Sequence, residues 1–283
     1  MQPALDAVIA LLDLEAIEVN IFRGVSPDEN RQRVFGGQVA GQALVAAART
    51  VEDSLVHSLH AYFLRAGDPA VPILYEVERT RDGRSFTTRR VTAIQHGRAI
   101  FTMSASFHRD EEGFTHQDPM PGAPPPEEVP TFKEEWKPYR DQLGALYDRD
   151  LAIDVRYAKG SMTARDEPHE PHVQVWLRAD GELGDDPVLH TCLFTYASDL
   201  TLLDTTTLPH CRGAFDPSVQ MASLDHAMWF HRPFRMDDWL LYDQRSPSAS
   251  GARGLATGSV FTREGDLVVS VVQEGLIRPV EDR

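Results

Sequence analysis

The chain has 283 residues, which is enough for one large domain or two medium ones. Its formal net charge of −15 argues against broad binding to nucleic acid or to an anionic membrane, because both are polyanions. Two cysteines, Cys192 and Cys211, are too few for a disulfide scaffold or a zinc ribbon.

Targeting signals are not evident in the sequence. No apolar run is long enough to span a membrane, and residues 1–19 carry acids where a signal peptide needs a basic segment. The last residues carry no peroxisomal or retention signal. We therefore predict a cytoplasmic protein with reduced, inert thiols and no stable association with membranes.

Two helices are expected near the start of the chain. Leu5, Val8, Ile9 and Leu12 recur at three- and four-residue spacing, which predicts a short amphipathic helix. A second helix is predicted over residues 35–51, where the sequence is apolar on nearly every side. Such a helix should be buried on most of its surface, and its small side chains should let a sheet approach closely.

Four strands should follow this buried helix. The last of them alternates apolar residues with threonine and serine, which is typical of a half-buried strand. The turns Asp82-Gly83 and His96-Gly97 are short, so antiparallel pairing is expected. The four predicted strands cover residues 57–65, 71–79, 84–94 and 99–107.

The pattern breaks down after the fourth strand. Residues 110–128 are dense in proline and acid, which is typical of an extended linker, and residues 132–147 hold a short helix or remain irregular. Regular patterns resume with strands over 151–157 and 172–178 and a helical stretch over 188–203. Three or four more strands are expected before residue 277.

The two halves of the chain resemble each other. Shifting the sequence by 167 residues places Phe63 on Phe230 and Arg65 on Arg232, and Leu74-Tyr75-Glu76 on Leu241-Tyr242-Asp243. We therefore predict an α+β fold of two tandem repeats, each an antiparallel sheet wrapped around a central helix. The sheets should join edge to edge. The predicted boundaries are residues 1–108 for the first repeat, 109–150 for the linker and 151–283 for the second repeat.

The repeats differ at two positions where polar chemistry could lie. Ser223 stands where the first repeat has Val56, and Gln273 stands where it has Ala105. Burying an unpartnered polar group is costly, so such groups usually serve a purpose. This asymmetry predicts one active site for each pair of repeats, built mainly from the second.

Common catalytic and cofactor motifs are missing from the sequence. It has no G-x-S-x-G, G-x-G-x-x-G or P-loop pattern. The run at residues 169–172, with two histidines around Glu170 and Pro171, is interpreted as a loop and not as a metal site. Asp185 and His190 are interpreted as part of a turn and a helix start. We therefore expect no metal and no cofactor.

Six separated blocks carry a resemblance to a known family. They are VFGGQVAGQAL, HSLHAYFLRAGDP, RDGRSF, YASDL, SLDHAMWFHRPF and VVQEGLIR, at residues 34–44, 57–69, 81–86, 196–200, 223–234 and 271–278. In this order and spacing they resemble the type II (TesB-like) acyl-CoA thioesterases. The resemblance implies a double hot-dog fold, which agrees with the repeats found in the sequence.

The resemblance also implies a reaction and its residues. In that family an aspartate, a hydroxyl residue and a glutamine hold the attacking water. These match Asp199, Ser223 and Gln273 here, although many relatives have threonine in place of Ser223. The implied activity is hydrolysis of fatty acyl-CoA to a fatty acid and CoA, with acyl-CoA as the partner of the site.

Several further residues are candidates for binding or assembly. Five arginines could meet the phosphates of coenzyme A: Arg65, Arg81, Arg84, Arg232 and Arg253. The acyl chain should lie in an apolar slot between the first buried helix and the sheets. His226 and His231 are interpreted as packed or interfacial histidines. The aromatic strands and sheet edges predict a homo-oligomer.

The sequence leaves two other functions open. One is a hot-dog enoyl-CoA hydratase or dehydratase, which would need an aspartate and a histidine placed for acid–base chemistry. The other is a non-catalytic acyl-CoA-binding protein on the same fold. Loss of one of the three polar residues would favour a binding protein, but all three positions are filled.

Overall fold

The structure is a computed structural model, and it describes residues 2–27, 32–160, 167–212 and 216–280. Six helices lie in this part of the chain: α1 Gln2–Leu12, α2 Gly36–Ala48, α3 Phe132–Glu135, α4 Arg140–Leu143, α5 Ala145–Asp148 and α6 Pro187–Ser198. Short 3₁₀ turns cover Pro126–Glu128, Lys137–Tyr139, Leu203–Thr206 and Leu208–His210. None of the described helices is long and apolar enough to cross a membrane.

Strands make up most of the remaining described residues. The first half contributes β1 Glu15–Glu18, β2 Ile21–Gly24, β3 Leu55–Phe63, β4 Ile73–Asp82, β5 Phe86–Gln95 and β6 Arg98–His108. The second half contributes β7 Ile153–Lys159, β8 His172–Ala179, β9 Val219–Ser223, β10 Asp225–Phe230, β11 Leu240–Ser250, β12 Arg253–Thr262 and β13 Leu267–Pro279.

These strands form a single antiparallel sheet. Its order is β1-β2-β4-β5-β6-β3-β10-β13-β12-β11-β8-β7, with β9 attached to the end of β13. The halves meet where β3 pairs with β10, for example Leu59 opposite Met228. The predicted edge-to-edge joining of two repeats is confirmed, and the fold is the α+β double hot-dog.

The two long interior helices, α2 and α6, pack against each other, and α2 also packs against strands β3 to β6. The β-carbon of an alanine at Gly37 of α2 would come within 2.2 Å of the carbonyl oxygen of Tyr196 on α6. Only a glycine therefore permits this approach between the helices. Residues 39–47 of α2 are buried except Val45, as its nearly uniform apolar sequence predicts.

The second half differs from expectation in the end of one helix and in its number of strands. The helical stretch predicted over 188–203 ends at Ser198, where the backbone of Asp199 leaves the helix and the Leu200 N–H bonds to the Ala197 carbonyl at 3.0 Å. Five strands follow, where three or four were expected. The additional one is β9, a short strand that pairs with β13 alone.

Residues after β6 cross the outer face of the second half of the sheet. The Trp176 Nε1–H donates to the Pro124 carbonyl at 2.8 Å, and Val129 packs with Trp176 and Trp239 in a small second core. Burial of these aromatic rings on the outer face anchors the segment against the sheet.

Candidate active site

Asp199 lies at the end of α6, inside the fold. The helix begins with Asp186, whose carboxylate accepts the Val188 N–H at 2.9 Å, and with Pro187 at its first position. An aspartate next to a helix most often caps its N-terminus, but Asp199 lies at the C-terminus of α6, directly after Ser198. Its side chain is therefore available for partners outside the helix.

Ser223 and Gln273 both reach the same oxygen of Asp199. The Ser223 hydroxyl donates to Asp199 Oδ1 at 3.0 Å, and the Gln273 Nε2–H donates to it at 2.6 Å. Ser223 ends β9 opposite Gly275 of β13, and Gln273 lies two residues from Gly275 on the same face of that strand. The register of β9 on β13 thus brings together three residues that are distant in sequence.

The first half of the chain supplies the opposite wall of this site. The N-terminus of α2 faces the carboxylate, and a β-carbon on Gly36 would come within 2.6 Å of Asp199 Oδ2. The first N–H groups of a helix have no partner within it, and the helix dipole is positive there. The helix end therefore favours negative charge at this point of the site.

A cavity of about 640 Å³ opens beside Asp199. Its described lining comes from both halves and includes Arg33, Gly36, Val39, Phe63, Arg65, Phe101, Asp199, Leu203, Asp204, Met221, Ser223 and Leu224. A neighbouring hollow of about 290 Å³ shares Arg65 with it and adds Gln95, His96 and Arg98. Val39 of α2 and Phe63 and Phe101 of the sheet give this cavity an apolar wall.

Only one of the five predicted phosphate-binding arginines lies on this cavity. Arg65 lines it, and its guanidinium donates to the Ala99 carbonyl at 2.6 Å. Arg33, which the sequence did not suggest, also lines it and donates to the Met221 carbonyl at 2.9 Å. The other four arginines are not among the described lining residues. These are Arg81, Arg84, Arg232 and Arg253.

Asp204 is a second carboxyl group on the cavity wall that sequence reasoning missed. No hydrogen bond or ion pair joins its side chain to another described residue. Burial raises the pKa of Asp204 to about 7, and the negative charge of Asp199 adds to the rise. Nothing in the local sequence marks this residue, because its role depends on the turn that follows α6.

His226, His231 and His190 lie in different settings. His226 is buried, and its Nε2 is 2.9 Å from the Ser198 hydroxyl oxygen. His231 is exposed, with Nε2 2.8 Å from the Ser270 hydroxyl oxygen.

His190 accepts the Met236 N–H through Nδ1 at 3.0 Å, whereas Asp185 pairs with Arg235 at 2.7 Å. Asp185 and His190 therefore have separate partners and form no acid–base pair.

The run at residues 169–172 contributes to an ion-pair network. His172 Nε2 lies 2.7 Å from an Asp243 oxygen, and its Nδ1 lies 2.7 Å from the Lys159 ammonium. In the described ranges, no group of three or more histidine, cysteine or acidic side chains is arranged to hold a metal ion.

Comparison with known proteins gives a consistent result. Residues 26–108 match the family described as acyl-CoA thioesterase N-terminal domain, and residues 148–276 match acyl-CoA thioesterase. The chain is 43% identical to acyl-coenzyme A thioesterase 8 of Rattus norvegicus, over 96% of this chain and 88% of the relative. It is 39% identical to acyl-CoA thioesterase 2 of Haemophilus influenzae, over 98% and 99% of the two chains.

Solved structures agree with these relatives. The acyl-CoA thioesterase II TesB2 from Mycobacterium marinum is 49% identical and superposes with a TM-score of 0.80, over 96% of this chain and 98% of the other. Similarity of this extent covers the fold and both repeats. The chain belongs to the type II acyl-CoA thioesterase family.

Proposed function

We propose that this protein hydrolyses fatty acyl-CoA with a water molecule oriented by Asp199, Ser223 and Gln273. The observation that carries the proposal is the pair of hydrogen bonds from Ser223 and Gln273 to the same oxygen, Asp199 Oδ1, at the wall of a cavity. No described residue donates to the other oxygen, Oδ2. That oxygen is free to accept a proton from a water in the cavity.

Hydrolysis would need a base for the water and a set of donors for the oxyanion. Asp199 takes a proton from the water while the water oxygen attacks the thioester carbonyl. The N–H groups in the first turn of α2, beside Gly36, would stabilise the oxyanion. When the carbon–sulfur bond breaks, the thiolate leaves without a strong acid, because thiols have a pKa of about 8.5. The proton held by Asp199 then passes to the thiolate or to solvent.

Substrate binding follows from the charges and apolar groups around the cavity. Arg33 and Arg65 on its wall, with Arg98 in the adjoining hollow, would meet the phosphates of coenzyme A. Val39, Phe63 and Phe101 would contact the acyl chain. Arg81, Arg84 and Arg232 stay as candidates that the sequence alone suggests, whereas Arg253 pairs with Glu274 outside the cavity lining.

Free-thiol release from a panel of acyl-CoA esters tests the proposal. A hydratase releases no thiol, and a binding protein releases none above the buffer rate. Asp199→Ala should lower turnover by about 10²-fold or more if this carboxylate acts on the water. The control is Asp185→Asn, which removes an exposed carboxylate outside the cavity. Full activity of the Asp199 variant would contradict the mechanism.

Cellular setting and assembly are further parts of the proposal. Cys192 and Cys211 are unpaired, which is compatible with a reducing compartment such as the cytoplasm. Tyr62 is 61% exposed on the outer face of β3, where a second copy of the chain could cover it in a homo-oligomer. Sedimentation analysis of the purified protein would test this assembly.

A further inference from the structure

Two buried polar atoms without partners lie on neighbouring strands beside the site. His226 is 1% exposed and Gln273 is 0% exposed, and neither His226 Nδ1 nor Gln273 Oε1 has a hydrogen-bond partner in the described structure. Ala227 of β10 pairs with Val272 of β13, so the next position along places His226 opposite Gln273. Side chains directly opposite each other on one face have β-carbons about 5 Å apart.

The other end of the His226 ring is tied to the residue before Asp199. Its Nε2 lies 2.9 Å from the Ser198 hydroxyl oxygen, and that hydroxyl donates to the Thr195 carbonyl at 3.0 Å. The Ser198 hydroxyl has one proton, and we assign it to the bond with the Thr195 carbonyl. With that assignment His226 Nε2 carries a proton and donates to Ser198, which leaves Nδ1 as an acceptor.

The Gln273 side chain is fixed at one end only. Its Nε2–H donates to Asp199, so its Oε1 faces away from the carboxylate and needs a donor. His226 Nδ1 is also an acceptor, so the two atoms cannot satisfy each other. Buried acceptors that lack a protein donor are usually satisfied by ordered water. A single water can donate one hydrogen to each.

We propose that His226 is a positioning residue, which together with Gln273 Oε1 binds one buried water and so holds the Gln273 amide with Nε2 facing Asp199. The proposal rests on the function proposed above, since its effect on catalysis passes through Gln273. Both atoms are out of contact with solvent, so this water is structural and distinct from the nucleophile. Burial also lowers the pKa of His226, with Asp199 and Asp225 opposing that shift, and the imidazole is neutral.

A double-mutant cycle tests the role in catalysis. His226→Phe should lower kcat about tenfold with little change in KM, because the Gln273 amide loses its fixed orientation. In a Gln273→Ala background the same substitution should have no further effect on kcat. His226→Asn, which keeps an acceptor near the position of Nδ1, should retain more activity than the phenylalanine variant. Additive losses in the cycle would overturn the proposal.

Two measurements need neither His226 variants nor enzyme activity. Nitrogen NMR of the wild-type imidazole should show a neutral ring protonated on Nε2, and Gln273→Ala should shift the Nδ1 resonance. A crystal structure at high resolution should show a water within hydrogen-bond distance of both atoms. A ring protonated on Nδ1, or an unshifted resonance, would contradict the proposal even if acyl-CoA hydrolysis is confirmed. Absence of wild-type hydrolysis would instead contradict the proposed function.

Discussion

Asp199 and Gly36 belong to different repeats, yet Asp199 Oδ2 lies 2.6 Å from the point where a β-carbon on Gly36 would stand. The start of α2 in the first repeat therefore lies directly against the Asp199 carboxylate of the second repeat. In the proposed mechanism neither half holds the whole site, so the two tandem repeats would act together as one functional unit. It also makes Gly36 a position where one added methyl group tests the geometry.

Gly36→Ala should therefore reduce activity strongly. The added β-carbon would displace the Asp199 carboxylate or the ring of Phe63, which is 3.0 Å from the same point. A misplacement of about 1 Å costs on the order of 10²-fold in rate. The measurement is kcat/KM for acyl-CoA alongside thermal unfolding. Gly122→Ala is a suitable control, because a β-carbon there meets no atom within 4 Å. Unchanged activity of Gly36→Ala would show that Asp199 is not held against α2.

Ser223 offers a second test, based on the type of its side chain. Ser223→Ala removes one of the two donors to Asp199 Oδ1, and we expect about tenfold lower kcat. Ser223→Thr keeps the hydroxyl and should stay within a fewfold of the wild type. Ser270→Ala serves as control, since that serine bonds to His231 on the outer face of the sheet. Equal losses in the alanine and threonine variants would indicate a packing role for Ser223.

Much of the fold could be predicted from local patterns. The alternation of Phe101 and Met103 with polar residues places β6 correctly, and the repeat that maps Phe63 onto Phe230 anticipates the β3–β10 junction. These patterns suffice because strand periodicity and helix amphipathicity are set by neighbours within a few residues. The extent of α6 was overestimated, since its last turn is decided by the contacts of Asp199.

The site was predictable only in part. Asp199, Ser223 and Gln273 were identified through motifs and through the polar asymmetry between repeats, and the structure places them within hydrogen-bond distance. Gly36 and Asp204 were missed, because their importance depends on elements that approach from elsewhere in the chain. These contacts are set by helix packing and by the turn after α6, so local sequence patterns cannot predict them.

Stability should depend on pH through Asp204. Because its pKa in the folded protein is raised to about 7, the folded state holds this proton more tightly than the unfolded chain. Ionisation of Asp204 therefore destabilises the folded state by a growing amount as the pH rises from about 4 to about 7. Above that range the destabilisation is constant. Asp204→Asn should be more stable than the wild type, with a gain roughly 2–3 kcal/mol larger at pH 8 than at pH 5.

Denaturant unfolding at the two pH values measures this difference. Asp266→Asn is the control, because it changes an exposed carboxyl group distant from Asp199 in sequence. Its effect on the free energy of unfolding should be the same at both pH values. A gain from Asp204→Asn that does not vary with pH would show that this carboxyl is ionised in the folded protein throughout the range.

Arg65 should contribute to affinity for coenzyme A and not to the chemical step. It lies on the wall of the cavity and adjoins the second hollow, whereas Arg253 pairs with Glu274 at 3.0 Å outside the lining. Loss of a guanidinium that meets phosphate removes charge-assisted hydrogen bonds, each worth about 1.5–3 kcal/mol. Arg65→Ala should therefore raise KM for acyl-CoA about tenfold and leave kcat nearly unchanged.

Shortening the substrate separates phosphate binding from a general effect on the cavity. With an acyl-pantetheine thioester, which lacks the phosphates of coenzyme A, wild type and Arg65→Ala should have the same KM. Arg253→Ala should match the wild type with both substrates. If Arg65→Ala raises KM equally for the two thioesters, the arginine acts on the shape of the cavity, and the phosphates bind elsewhere.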